Sequence, residues 1–102
     1  MSIIEREPTD PAKKLLWDAA DFLEAHDWTQ QSYGDNNAHC LVGALHVVEG
    51  TEYKSKTPTM ARARKILAKT IGVPSSKLTT WNDRRKRQKE EVIEALRKAA
   101  RS

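Results

Sequence analysis

Several things are scarce in this chain, and each scarcity excludes something. Cys40 is the one cysteine, so no internal disulfide can form, and a reducing, cytoplasmic setting is expected. No apolar run approaches the roughly 20 residues that a membrane-spanning helix needs. The opening MSIIEREPTDP has neither the basic start nor the apolar core of a signal peptide. The metal-ligand and redox spacings HExxH and CxxC are missing. So are a zinc finger, the aromatic RNA-binding strand motif and a helix-turn-helix pattern. There is no internal repeat and no low-complexity tract. The expectation is no metal, no cofactor and no membrane.

What is present suffices for one domain. A chain of 102 residues buries roughly two-thirds of its unfolded surface and can fold without staples. Hydrophobic residues are 38% and charged residues 31%, a wet composition whose apolar members nevertheless recur at helical spacing. The net charge of +4 is unevenly placed. Residues 1–37 hold three basic and eight acidic side chains, residues 38–53 two acidic ones, and residues 54–102 fifteen basic and four acidic ones. The two halves can neutralise each other within one fold, or present a polarised surface to an acidic partner.

Residues 1–9 carry no periodicity and read as a tail before a single helical domain at 10–102. In TDPAKKLLWDAADFLEAHDW, Asp10 is an N-cap candidate, and Pro11 suits the first helical position, where a missing N–H leaves nothing unpaired. Ala12, Leu15, Leu16, Ala19, Phe22, Leu23 and His26 fall three and four apart, which predicts a first helix over 11–26. The stretch 27–37 reads as a loop, with Trp28 and Tyr33 either pinning it to the body or lining a site. From Ala38 to Val48 only two histidines and Gly43 interrupt an apolar run. Its valines also suit a strand, but its length and the Gly50 stop predict a second helix, apolar on most sides and therefore central. Gly43 is expected to let a neighbouring helix approach closely. Thr57, Pro58, Gly72 and Pro74 bracket a third helix with Met60, Ala63, Ile66, Leu67 and Ile71 as its buried stripe. Val92, Ile93, Leu96 and Ala99 predict a fourth over 86–100, with a short extra turn near 76–81. The expected fold is all-α, a compact bundle of four main helices around a buried second helix.

Three motifs stand in order: WTQ at 28–30, CLVGAL at 40–45 and WND at 81–83, with EV following at 91–92. Taken together they resemble a family of small helical bacterial and phage proteins of unknown function. The resemblance implies a compact helical domain with no established activity, so it supplies no catalytic residue. In that family the link between WND and the last helix is often shorter and less charged; here it is RRKRQK.

Three constellations are candidates for chemistry. Cys40, with His39 beside it and His26 and His46 elsewhere, suggests a thiol nucleophile or a zinc site. A nucleophilic thiol needs a base within hydrogen-bond reach, and neighbours on a helix diverge by about 100°. His39 and His46 would stand about 10.5 Å apart along a helix, too far to share one ion. Cys40 therefore reads as a core thiol, and no catalytic residue is assigned. Trp28, Thr29, Gln30, Trp81, Asn82 and Asp83 form either a pocket with two indole walls or a fastening network, with Asp83 expected at a helix N-terminus. Arg84, Arg85, Lys86, Arg87 and Lys89 place five cations in six positions, and Arg62, Lys65 and Lys69 share one face of the third helix. Together these eight could neutralise a phosphate backbone with little base specificity, engage an acidic protein, or simply be solvated and answered by Glu90, Glu91 and the acidic half. The expected function is a non-enzymatic binding or accessory module with a protein partner, and the alternative is sequence-tolerant nucleic-acid binding through those eight residues.

Overall fold

The computed structural model describes residues 8–30, 38–52 and 55–102. Most of the expected tail, together with Tyr33 and the turn formers 34–37, lies outside the described residues. Among the described residues the elements are α1 (Pro11–Ala25), β1 (Asp27–Trp28), β2 (Ala38–His39), α2 (Leu41–Glu49), α3 (Pro58–Ile71), a 3-10 turn at Ser75–Lys77, α4 (Leu78–Asn82) and α5 (Lys89–Arg101).

Local chemistry sets most boundaries. The Asp10 carboxylate accepts the Ala12 N–H at 2.9 Å and Pro11 opens α1. The Thr57 hydroxyl accepts the Met60 N–H at 3.0 Å and Pro58 opens α3. Gly50 and Gly72 close α2 and α3 with φ of 78° and 76°, a left-handed turn that costs a glycine little. After Gly72, the Val73 N–H returns to the Ala68 carbonyl at 3.0 Å. Gln88 and Glu91 form a capping box at the start of α5.

The chain is mostly helical, and its Cα radius of gyration of 12.7 Å fits a domain of about 100 residues. α1 is the hub. It packs against α2, α3 and α5, whereas α2 and α3 barely meet. Leu15, Leu16, Ala19 and Leu23 of α1 join Leu41 and Leu45, Met60 and Leu67, and Val92 and Leu96 in one core. Residues 41–46 of α2 are all buried, but Val47 is exposed and Val48 only partly buried, and α1 rather than α2 makes the widest contacts. The reason is length: α1 has 15 residues and α2 nine, so only α1 spans the bundle. Phe22, Val48, Ile66, Ile71 and Ile93 pack on the margin of the core and are only partly buried.

Four local expectations change. Residues 38–39 are extended rather than helical, and pair in parallel with residues 27–28; the Thr29 N–H also bonds to the His39 carbonyl at 3.1 Å. That interstrand pairing overrides the helical pattern. His26 lies past the end of α1, exposed, with its N–H on the Phe22 carbonyl at 3.0 Å. α5 begins at Lys89, because the Arg87 N–H bonds to the Arg84 carbonyl at 3.0 Å in a turn with Lys86 at φ 70°. Asp83 is at the C-terminal end of α4, not at a helix N-terminus.

Candidate functional site

The three motifs meet at one side chain. Asn82 is fully buried, and its carbonyl oxygen accepts the Trp28 indole N–H at 2.7 Å and the Leu41 N–H at 3.0 Å. Leu41 is the first residue of α2, so Asn82 satisfies a donor that the helix itself cannot. The Asn82 amide nitrogen donates to the Thr29 carbonyl at 3.1 Å and to the Asp83 carboxylate at 3.0 Å. Both lone-pair directions and both amide hydrogens are used, which is all the side chain has. Gln30 donates to the Asn82 backbone carbonyl at 3.0 Å and to the Arg84 backbone carbonyl at 2.9 Å. The polar groups that a pocket would need here are spent on holding β1, α2 and α4 together.

Cys40 has a local structural role as well. It is 3% exposed, and its sulfur accepts the Gly43 N–H at 3.3 Å at the N-cap of α2. Burial pushes its thiol pKa up, the opposite of what a nucleophile needs. His39 is in the extended pair and meets Phe22 edge-on, with ring centroids 5.1 Å apart. His46 is 3% exposed and burial, with the Arg64 charge, pulls its pKa down. Its Nδ1 lies 3.1 Å from the Thr51 hydroxyl, which donates to Glu49 at 2.8 Å. Thr51 has one hydrogen and has given it away, so the His46 Nδ1 carries the proton in that contact. Among the described residues no group of three His, Cys, Asp or Glu side chains could hold a metal ion, and no helix is long and apolar enough to cross a membrane.

The eight candidate cations divide. The Arg62 guanidinium is on the Asp10 carboxylate, whose pKa it lowers. Arg87 lies 3.9 Å over the Trp81 ring, donates to the Trp81 carbonyl at 3.1 Å and pairs with Glu91 at 2.7 Å. The Lys89 ammonium donates to the His26 carbonyl at 2.7 Å. Arg84, Arg85 and Lys86 are exposed at the tip of the turn; Lys65 and Lys69 are exposed on α3. The acidic half is answered elsewhere: Asp18 by Lys14 at 2.9 Å, and Asp21 and Glu24 by Arg97 at 2.6 and 2.8 Å. Arg97 also lies 4.3 Å over the Trp17 ring, which fastens α1 to α5.

The turn is a built feature. Gln30 holds its entry through the Arg84 carbonyl, and Arg87 holds its exit between Trp81 and Glu91. Between these anchors Lys86 accepts a left-handed backbone that a lysine seldom adopts. Beside it is a groove of about 590 Å³. Val73, Pro74 and Trp81 give it apolar walls, and Lys77, Thr80, Asp83 and Arg84 make its polar lining. Lys77 did not emerge from the sequence as a site residue. Its spacing of four from Trp81 was the available signal.

Residues 7–102 match the model of a family of unknown function, DUF6197. The chain belongs to that family. No curated protein and no solved structure matches it. The family match spans the Asn82 hub, the basic turn and the Trp81 groove alike, and it brings no activity with it.

Proposed function

We propose that this member of the family is a cytoplasmic, non-enzymatic binding module whose recognition surface is the turn 84–86 with the adjoining Trp81 groove, and whose partner is an acidic protein segment carrying an apolar anchor. The observation that carries the reading is the turn itself. Three successive exposed cations stand on a backbone anchored at both ends, with one residue in a costly conformation. A rigid cationic tip beside an apolar groove suits a partner that brings carboxylates to Arg84 and Lys77 and an apolar side chain to Trp81. The absence of an enzymatic role is supported by Cys40, buried, capping α2 and held as a thiol.

A second reading, a nucleic-acid backbone, draws on the same cations lying beside an indole, a combination that single strands use through phosphate neutralisation and stacking. Lys65 and Lys69 would extend it; Arg62, Arg87 and Lys89 already have protein partners. One experiment separates the two. The wild-type chain and the variant Arg84→Gln/Arg85→Gln/Lys86→Gln are used as baits in a host lysate, with and without nuclease. Binding lost in the variant and indifferent to nuclease supports the protein partner. Binding lost on nuclease treatment supports nucleic acid, and anisotropy with labelled oligonucleotides should then show a log–log salt slope of about 0.9 per phosphate on duplex DNA. Identical captures by wild type and variant sink both readings.

A further inference from the structure

A second cleft lies between the start of α1, one face of α3 and the end of α5. Its volume is about 540 Å³, and its lining includes Lys13, Arg62, Lys69 and Lys98 with Ile66 and Thr70. Four cations from three helices converge on one opening, whose lining is completed by Ile66, Thr70 and Ser102. Asp10 reaches it only through Arg62, which it holds. Lys13 donates to a main-chain oxygen of Ser102, which itself lines the cleft. Lys69 and Lys98 are exposed.

Helix ends explain only half of this clustering. Lys69 and Lys98 are in the last turns of α3 and α5, where backbone carbonyls favour a cation. Lys13 is in the first turn of α1, where the helix dipole disfavours one. With Arg62 held by Asp10 and Lys13 by Ser102, Lys69 and Lys98 still bring like charge to the same cleft, and a bound polyanion would reverse the sign of that repulsion.

We propose that this cleft binds a small polyanion of the oligophosphate class. Two or more anionic groups are required to reach cations on all three helices at once. Three of the four cations are lysines, compact charges with three donors each, which meet phosphate oxygens from varied directions. The Arg62 fork, which would favour a single carboxylate, is already on Asp10. The volume lies within the range of about 300–1,000 Å³ usual for small-molecule sites, and Ile66 offers an apolar wall to the carbon part of such a ligand. The site is independent of the Trp81 groove, with which it shares no lining residue.

The test is a titration of the full, isotope-labelled chain with inorganic tripolyphosphate, followed by amide chemical shifts, with inorganic phosphate and citrate as comparators. The expected result is saturable one-site binding, shifts centred on residues 62–70 and 98–102, and affinity about tenfold or more above that for phosphate and citrate. Lys13→Gln/Lys98→Gln should weaken tripolyphosphate about tenfold or more, with the melt lowered only slightly, because surface charge contacts such as Lys13 with Ser102 contribute little to stability. Arg84→Gln/Lys86→Gln should leave it unaltered, so failure here is distinct from failure of the turn as a recognition surface. Shifts that never saturate, shifts centred on residues 84–86, or equal binding by wild type and Lys13→Gln/Lys98→Gln would overturn the proposal. So would a single-stranded oligonucleotide that occupies residues 62–70 and 98–102 more tightly than tripolyphosphate.

Discussion

The Trp28 indole N–H and the Asn82 side-chain carbonyl meet at 2.7 Å across 54 positions of sequence. That bond, with the Leu41 N–H on the same oxygen, joins the strand pair, the start of α2 and the end of α4 at one buried atom. Replacing Asn82 by alanine strands the Trp28 and Leu41 donors and the Thr29 carbonyl. Each unsatisfied buried group costs about 1–3 kcal/mol; with the Trp28 and Thr29 contacts only partly buried, Asn82→Ala should destabilise by about 3–5 kcal/mol. Urea denaturation followed by circular dichroism measures this; a loss below about 1 kcal/mol would mean that the hub is dispensable.

Leu45 is fully buried in α2. Leu45→Ala should cost about 2–5 kcal/mol, from lost transfer energy and the cavity left behind. A thermal melt unchanged by the substitution would show that α2 is not part of the cooperative core.

The Cys40 thiol is buried and its pKa is raised, so native protein should react slowly with thiol reagents near neutral pH and rapidly once unfolded. Cys40→Ser keeps an acceptor for the Gly43 N–H and should retain most of the cap, whereas Cys40→Val should lose about 1 kcal/mol. Rapid stoichiometric labelling of the folded chain would contradict the structural role.

Lys86 holds a φ of 70°, a region that costs a non-glycine residue of order 1 kcal/mol or more. Lys86→Gly removes that strain while adding entropy to the unfolded chain. The expected net effect is a gain of up to about 1 kcal/mol in urea stability, together with weaker partner binding. A variant that is more stable and yet binds unchanged would separate the strain from recognition.

Stability should fall on mild acidification. Burial and the Arg64 charge lower the His46 pKa in the folded state, so below about 6.5 the unfolded chain binds a proton that the folded chain refuses. The contribution is complete above about 6.5 and is lost as the pH falls through the folded value. Asp10, lowered by Arg62, and Glu91, lowered by the Gln88 N–H and by Arg87, act in the same direction only near and below about pH 4. Urea midpoints for wild type and His46→Asn at pH 7.5 and 5.5 check this; equal pH slopes in the two proteins would exclude His46 as the source.

The helices themselves were legible because their determinants are local. Asp10, Thr57, Gly50 and Gly72 act within five residues of themselves, and apolar spacing of three and four identifies a buried face without knowledge of what covers it. Even there, a local pattern lost to a distant partner at residues 38–39, where pairing with residues 27–28 outweighed the helical run. The start of α5 also moved, because a turn at Lys86 is a backbone conformation that side-chain periodicity does not report.

By itself the sequence determined a helical domain, the approximate spans of its main helices, a solitary thiol with no companion spacing for metal or redox chemistry, and a basic run after Trp81. Only the tertiary structure decided that WTQ, CLVGAL and WND converge on Asn82, that Arg62, Arg87 and Lys89 already have partners, and that Lys13 and Lys98 share a cleft with Lys69. The physical reason is range. A cap or an apolar stripe is specified by neighbours a few residues away, whereas the partner of a buried amide or a surface cation is whichever group the packed helices bring within about 3 Å, and no spacing along the chain encodes that distance.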